Sequence, residues 1–195
     1  MNDSLRSRII DAAARRTVAE GWTRVTMGRL ADDVGVSRQT VYNEVGSKGD
    51  LAEALVLQEL GTFLARVETA FTGQPDDVAA AIRDSVRSVL RYAEQSPLLR
   101  AIVSSTHGAE TDLLPLLTTR PETLLSTAST VLLELLRPYE LPLGAELVER
   151  TVDVLVRTVL SQVIYPTQAA AECADHMAWM IESIIAGAGR TTLRG

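Results

Sequence analysis

Residues 26–51, TMGRLADDVGVSRQTVYNEVGSKGDL, leave the chain few ways to fold. Thr26 is placed to cap a helix, because its hydroxyl can accept a backbone N–H from the first turn. Met27, Leu30, Ala31 and Val34 follow at helical spacing and give that helix one apolar face. Gly35 breaks the run and can adopt the positive φ of a sharp turn. Val36 is expected to plug the turn. Ser37 is a second cap, with Arg38, Gln39 and Thr40 behind it, and Val41 and Val45 return to the core at i, i+4. A small residue, a glycine four positions on, then an apolar residue and a cap describe a helix-turn-helix. Its physical use is to push the N-terminal side chains of the second helix against base edges in a DNA major groove. Arg38 can fork onto guanine and Gln39 onto adenine. Thr40 shares that first turn, and Asn43 lies one turn beyond Gln39.

Ser47 and Asp50 then form a capping box for a third helix. Lys48, the only lysine in the chain, lies at that helix's positive end, where the dipole opposes a cation. A nearby phosphate would suit both the lysine and the free N–H groups. The alternative for the whole stretch is an ordinary helical hairpin with polar residues in solvent.

Residues 9–55 resemble the DNA-binding domain of TetR-type repressors. The resemblance rests on Ile9, Ile10, Asp11, Ala12 and Ala13, on Glu20, Gly21 and Trp22, and on Thr26, Ala31, Gly35, Val36, Ser37, Tyr42, Ser47, Lys48 and Leu51. It implies that Thr26, Tyr42 and Lys48 contact phosphates and that the turn after Ser37 reads bases. The chain departs from the family at Thr17 and Val45, where a Phe is usual, and at Glu44, where a His is usual. An acid beside the phosphate backbone is unfavourable, so Glu44 is expected to face solvent or to restrain Arg38.

A net charge of −6 argues, taken alone, against nucleic acid. Its distribution softens that: residues 1–50 carry +1 and residues 51–195 carry −7. Binding would depend on a local patch, for which Arg6, Arg8, Arg24, Arg29, Arg38 and Lys48 are candidates. The one cysteine, Cys173, excludes an intrachain disulfide and fits a reducing, cytoplasmic setting. No N-terminal apolar run precedes a cleavage site, and charges interrupt every long apolar stretch, so neither a leader nor a membrane span is expected.

Only eight aromatics accompany abundant Leu, Val and Ala, a composition suited to packed helices. The expected fold is all-α, with a helix-turn-helix module at residues 1–47 and a helical ligand-binding and dimerising domain at 48–195. A first helix over 4–20 precedes the motif. A long one runs from Lys48 to about Phe71. Asp76 or Asp77 caps the next, and Ser96 with Pro97 starts another, to about His107. A loop at 108–111 leads to a short piece at 112–120. Helices over 122–136 and 144–165 follow, with Thr167 capping a last helix to about Ala186 and a frayed tail beyond.

The last two long helices each carry two apolar faces. Val148, Val152, Leu155, Val159 and Val163 form one stripe, and Leu147, Thr151, Val154 and Thr158 another. Cys173, Met177, Met180 and Ile184 form a third, and Ala174, Ala178, Ile181 and Ile185 a fourth, with Trp179 alongside. A surface helix needs one such face, so the second implies either a central position or a partner. TetR-type repressors pair through these helices, and the resemblance therefore implies a homodimer. Val148, Val152, Leu155, Val159, Met177, Ile181 and Ile185 are its expected contacts. A pocket among the helices of 51–136 would be lined by Leu and Val, implying a largely apolar small-molecule effector, with Tyr92, His107 and Glu134 as polar candidates.

No enzymatic constellation emerges. His107 lies among hydroxyls near Glu110, but neither a nucleophile elbow nor an oxyanion-hole motif accompanies it. Cys173 and His176 have no second ligand pair, so neither a metal nor a cofactor is expected. Two functions remain. One is a ligand-responsive regulator, most simply a repressor, binding palindromic double-stranded operator DNA. The other is a helical small-molecule-binding protein or enzyme in which the helix-turn-helix is only structural. Salt-dependent binding to a palindrome separates them.

Overall fold

The computed structural model describes residues 4–104 and 122–192, and every regular element among them is helical. In chain order these are α1 (Leu5–Glu20), a 3-10 turn (Trp22–Arg24), α2 (Met27–Val34), α3 (Arg38–Val45), α4 (Lys48–Gly73), α5 (Val78–Gln95) and α6 (Pro97–Ser104). Beyond residue 121 come α7 (Glu122–Leu136), a 3-10 turn (Arg137–Tyr139), α8 (Ala145–Ile164) and α9 (Ala170–Thr192). The described residues form two compact units. One holds residues through Leu60 and from Ser96 to Ser104; the other holds Gly61–Gln95 and residues from Glu122 onward. The long helix α4 contributes its first half to one unit and its second half to the other.

In the first unit α1 packs on α2, α3 and α6. Ile9, Trp22, Val25, Leu30, Val41, Leu51 and Leu55 are fully buried, and removing each from water stabilises the unit by about 1.5–3 kcal/mol. Thr17 is buried too, and its hydroxyl donates to the Ala13 carbonyl one turn back at 2.7 Å. Val45 is also buried, so both positions with unusually small residues still face the core. Two arginines cap helix ends across the unit. Arg8 donates to the Val34 carbonyl at the end of α2 (2.9 Å), and Arg6 to the Glu44 carbonyl near the end of α3 (2.8 Å). Each places a cation at the negative end of a helix dipole.

The second unit is built around α5 and α9. Ala174 and Ala178 are fully buried and small, which lets α5 approach closely. Around them Phe71, Ile82, Val86, Leu90, Leu132, Val152, Leu155 and Ile181 close the core. Asp77 caps α5 by accepting the Ala80 N–H at 2.9 Å, and Ser96 caps α6 of the first unit by accepting the Leu99 N–H. The Tyr139 hydroxyl donates to the Gln74 carbonyl (2.7 Å) just past the end of α4, and its ring meets Phe71 edge-on. Burial raises the Tyr139 hydroxyl above its ordinary pKa, with a smaller contribution from Asp76 and Asp77.

Two sequence expectations change at the C-terminal end. Thr167 does not cap the last helix; it exchanges hydrogen bonds with Gln162 of α8, and α9 begins at Ala170. The expected frayed tail is helical through Thr192. The piece expected at 112–120 lies outside the described residues.

Two glycines set the motif's geometry. Gly35 adopts φ 75°, ψ 40°, the left-handed region that lets α2 stop and the chain turn. A Cβ there would touch nothing within 4 Å, so the cost of a side chain is purely conformational. Gly46 adopts φ 73°, ψ −140°, and a Cβ there would lie 2.5 Å from the Asp50 carboxylate. We expect Gly35→Ala to cost about 1–2 kcal/mol, Gly35→Asn less, and Gly46→Ala more than Gly35→Ala. Urea denaturation of the three variants checks that order.

Candidate nucleic-acid interface

The interface is built from helix starts. Thr26 caps α2, accepting the Arg29 N–H at 3.3 Å. Ser37 caps α3, accepting the Thr40 N–H at 3.1 Å, and the two hydroxyls meet at 2.9 Å. Caps of this kind stabilise a helix by about 0.5–2 kcal/mol. An eight-residue helix needs them, because short helices are marginal in isolation. The Gly35 and Val36 N–H groups both close onto the Ala31 carbonyl. Val36 itself is half-buried rather than a fully enclosed plug.

With Val41 and Val45 inward, α3 turns Arg38, Gln39, Tyr42 and Asn43 out to solvent, while Thr40 is half-buried beside its cap. These outward side chains pair one turn apart. Arg38 donates to the Tyr42 hydroxyl at 3.2 Å, with its guanidinium 5.5 Å from the ring centre. Gln39 donates to the Asn43 carbonyl oxygen at 3.0 Å. Pairs of this type are worth only about 0.2–0.5 kcal/mol, so DNA can displace them at little cost. Glu44 is exposed; Arg38 is held by Tyr42 and not by that acid.

The start of α4 completes the surface. Asp50 accepts both the Ser47 N–H (2.7 Å) and its hydroxyl (2.8 Å), while Ser47 accepts the Asp50 N–H. Those bonds, the backbone one foremost, hold the Asp50 carboxyl below the usual carboxylate range. Lys48 stands beside this box with its ammonium 5.1 Å from the Trp22 ring centre.

The structure divides the candidate cations. Arg6 and Arg8 are committed to helix-end carbonyls, and Arg29 to Glu20 (2.6 Å) and the Arg24 carbonyl. Arg24, Arg38 and Lys48 form no ion pair among the described residues. The sequence did not reveal a second use of charge, in which Arg16 binds Asp33 and Glu20 and ties α1 to α2. The hydrogen bond from Arg16 is the main reason the Asp33 carboxyl lies below its ordinary range.

The other sequence candidates lie elsewhere. Tyr92 is half-buried in the second unit, edge-on to Phe63 and beneath the Arg66 guanidinium, 4.3 Å from its ring centre. Glu134 is exposed and paired with Arg137, outside that cluster. His107 lies outside the described residues. His176 is exposed and contacts Gln168, Cys173 is buried, and no metal-binding cluster occurs among the described residues. Of the expected dimer contacts, Val152, Leu155 and Ile181 are spent in the protomer's own core, because α5 and α7 already cover them. Val148, Val159, Met177 and Ile185 are partly buried against that core. On α8, α9 and their junction the large apolar side chains left exposed are Leu147, Val154 (52%), Tyr165 and Trp179 (67%).

Residues 9–55 match the family described as bacterial regulatory proteins, tetR family, and residues 77–183 match the bacterial tetracyclin repressor C-terminal domain. The chain belongs to the TetR family. It is a transcriptional regulator with a helix-turn-helix, and not an enzyme. The transcriptional regulator AlkX of Mycobacterium tuberculosis is 27% identical over 181 residues, 91% of this chain and 83% of that protein. The crystal structure of the TetR family repressor AlkX from a Dietzia strain superposes with a TM-score of 0.76 at 25% identity, covering 93% of this chain and 97% of that one. A SmeT–triclosan complex shares the fold at 20% identity, with a TM-score of 0.56 over 87% of this chain and 88% of that one. No helix among the described residues is long and apolar enough to cross a membrane.

The bonds at Asp33 and Asp50 set a pH dependence for this TetR-family protein. Both carboxyls have folded pKa values depressed below the unfolded value, so their stabilisation is complete above about pH 4. It is lost as pH falls through the depressed values. We expect Asp33→Asn to lower the thermal midpoint at neutral pH and the gap from wild type to close below about pH 4. Melting curves across that range check it.

Proposed function

We propose that the protein is a ligand-responsive repressor that binds a palindromic operator as a homodimer in the cytoplasm and leaves it when a small molecule binds. The observation that carries this reading is the capped, outward first turn of α3. There Arg38 and Gln39 stand exposed on a helix whose direction is fixed by Gly35 and Ser37. Residues 1–47 would form the DNA-binding domain and 48–195 the regulatory one. Thr26, Tyr42 and Lys48 would hold phosphates, Arg38 and Gln39 would read bases, and Thr40 and Asn43 would support them. If one bidentate contact is lost, Arg38→Ala or Gln39→Ala should cost about 1–3 kcal/mol at a single operator position. Binding measured on a set of singly substituted operators tests this. Equal weakening on every sequence would reassign the residue to phosphate.

Control would pass through α4. Its first half packs within one unit, and Tyr139 holds its far end within the other. An effector must favour one disposition of that helix over another, or it changes nothing. Two proteins of the same fold support an apolar effector: Dietzia AlkX is implicated in biodegradation of n-alkanes, and the SmeT structure is a triclosan complex. Tyr92, half-buried against Phe63, is the polar group we assign to the effector side.

One reading helix covers too few base pairs for a specific site, so two copies must pair. We assign the pairing surface to the exposed apolar side chains of α8 and α9 and their junction: Leu147, Val154, Tyr165 and Trp179. In a two-fold contact each substitution acts twice. Val154→Glu or Trp179→Glu is expected to give a folded monomer with little operator affinity, seen by circular dichroism and light scattering. Wild-type dimers in both variants would move the interface elsewhere.

A further inference from the structure

We infer that Trp22 is a positioning residue for DNA binding: its ring face holds the Lys48 ammonium over the start of α4, ready for a phosphate. This rests on the reading that Lys48 meets the DNA backbone. Trp22 is 1% exposed, and Lys48 is half-buried with its ammonium 5.1 Å from the ring centre. Attraction between a cation and the indole face operates at that distance, and indole is the strongest of the aromatic partners.

Three observations give this contact a purpose beyond packing. First, Lys48 occupies the first position of α4, where the helix dipole repels a cation, and it has no ion pair among the described residues. The nearest acid in sequence, Asp50, is consumed by Ser47. The ring is thus the only counterweight the described structure gives the ammonium. Second, the indole N–H of Trp22 is buried with no hydrogen-bond partner among the described residues. Buried tryptophans normally satisfy that donor, so hydrogen bonding does not explain an indole here. The ring face does. Third, four arginines of the unit are held differently. Arg16 and Arg29 spend their donors on carboxylates, Arg6 and Arg8 on carbonyls. A ring face orients a cation while consuming none of its N–H donors. All three donors of Lys48 therefore stay available for phosphate oxygens.

The test is a double-mutant cycle on a fluorescein-labelled mixed-sequence DNA duplex, with affinity followed by anisotropy across a salt series. Trp22→Leu should weaken binding about two- to fivefold per protomer in contact, the range expected for losing one such pair. In a Lys48→Ala background the same substitution should change nothing. Trp22→Phe, which keeps a weaker ring face and gives up no hydrogen bond, should fall between wild type and Trp22→Leu. It also keeps the test open if the leucine variant does not fold. Equal weakening by Trp22→Leu or Trp22→Phe in both backgrounds would overturn the inference, since Trp22 would then act through packing alone. Failure of the underlying reading looks different: Lys48→Ala would then leave the slope of log affinity against log salt unchanged instead of lowering it by about one.

Discussion

The DNA-facing half of the molecule depends on one left-handed residue. Gly35 ends α2 at φ 75°, and the direction of α3 follows from it. The caps then make the choice stable. Thr26 and Ser37 satisfy N–H groups that helices of eight residues cannot leave unpaired. Arg8 and Arg6 satisfy carbonyls at the opposite ends. Each short helix is therefore closed at both ends by side chains, and α1 supplies two of the four closures. That is why α1, which lies outside the two helices of the motif, is part of the helix-turn-helix module.

An acidic protein that binds DNA must ration its cations. At −6 net charge the chain cannot rely on a general field. Among the described residues Arg24, Arg38 and Lys48 form no ion pair, while Arg6, Arg8 and Arg29 hold helices together. Two of these three lie against aromatic faces, Arg38 on Tyr42 and Lys48 on Trp22. In each case the aromatic residue comes from the helical module itself, so the cation is oriented in the free protein, and at the DNA contacts we propose this would reduce the ordering cost on binding.

Much of the module was legible because its signals are local. Caps, the Ser47–Asp50 box and the Gly35 turn each involve residues three or four apart, where sequence spacing is spatial proximity. Contacts between distant segments were not legible. Nothing in the spacing of Arg6 and Glu44, or of Trp22 and Lys48, announces that they meet. The apolar stripes of α8 and α9 show the same limit. Periodicity found two faces on each helix but could not say which one the protomer buries. Val152, Leu155 and Ile181 went inward because α5 and α7 reach them, leaving Val154 and Trp179 outside. Thr167 was misread for a related reason: its hydroxyl can serve either the helix ahead or the one behind, and Gln162 claims it.

In the proposed regulator two copies of this module read a palindrome together. Hydroxyl-radical footprinting of the purified protein, on duplexes selected by binding from random sequence, tests it most directly. A two-fold pair of modules should give two equal protected patches related by a two-fold axis and about one helical turn apart, each half-site carrying the same bases. A single unpaired patch on a non-palindromic sequence, or no sequence enriched at all, would contradict it.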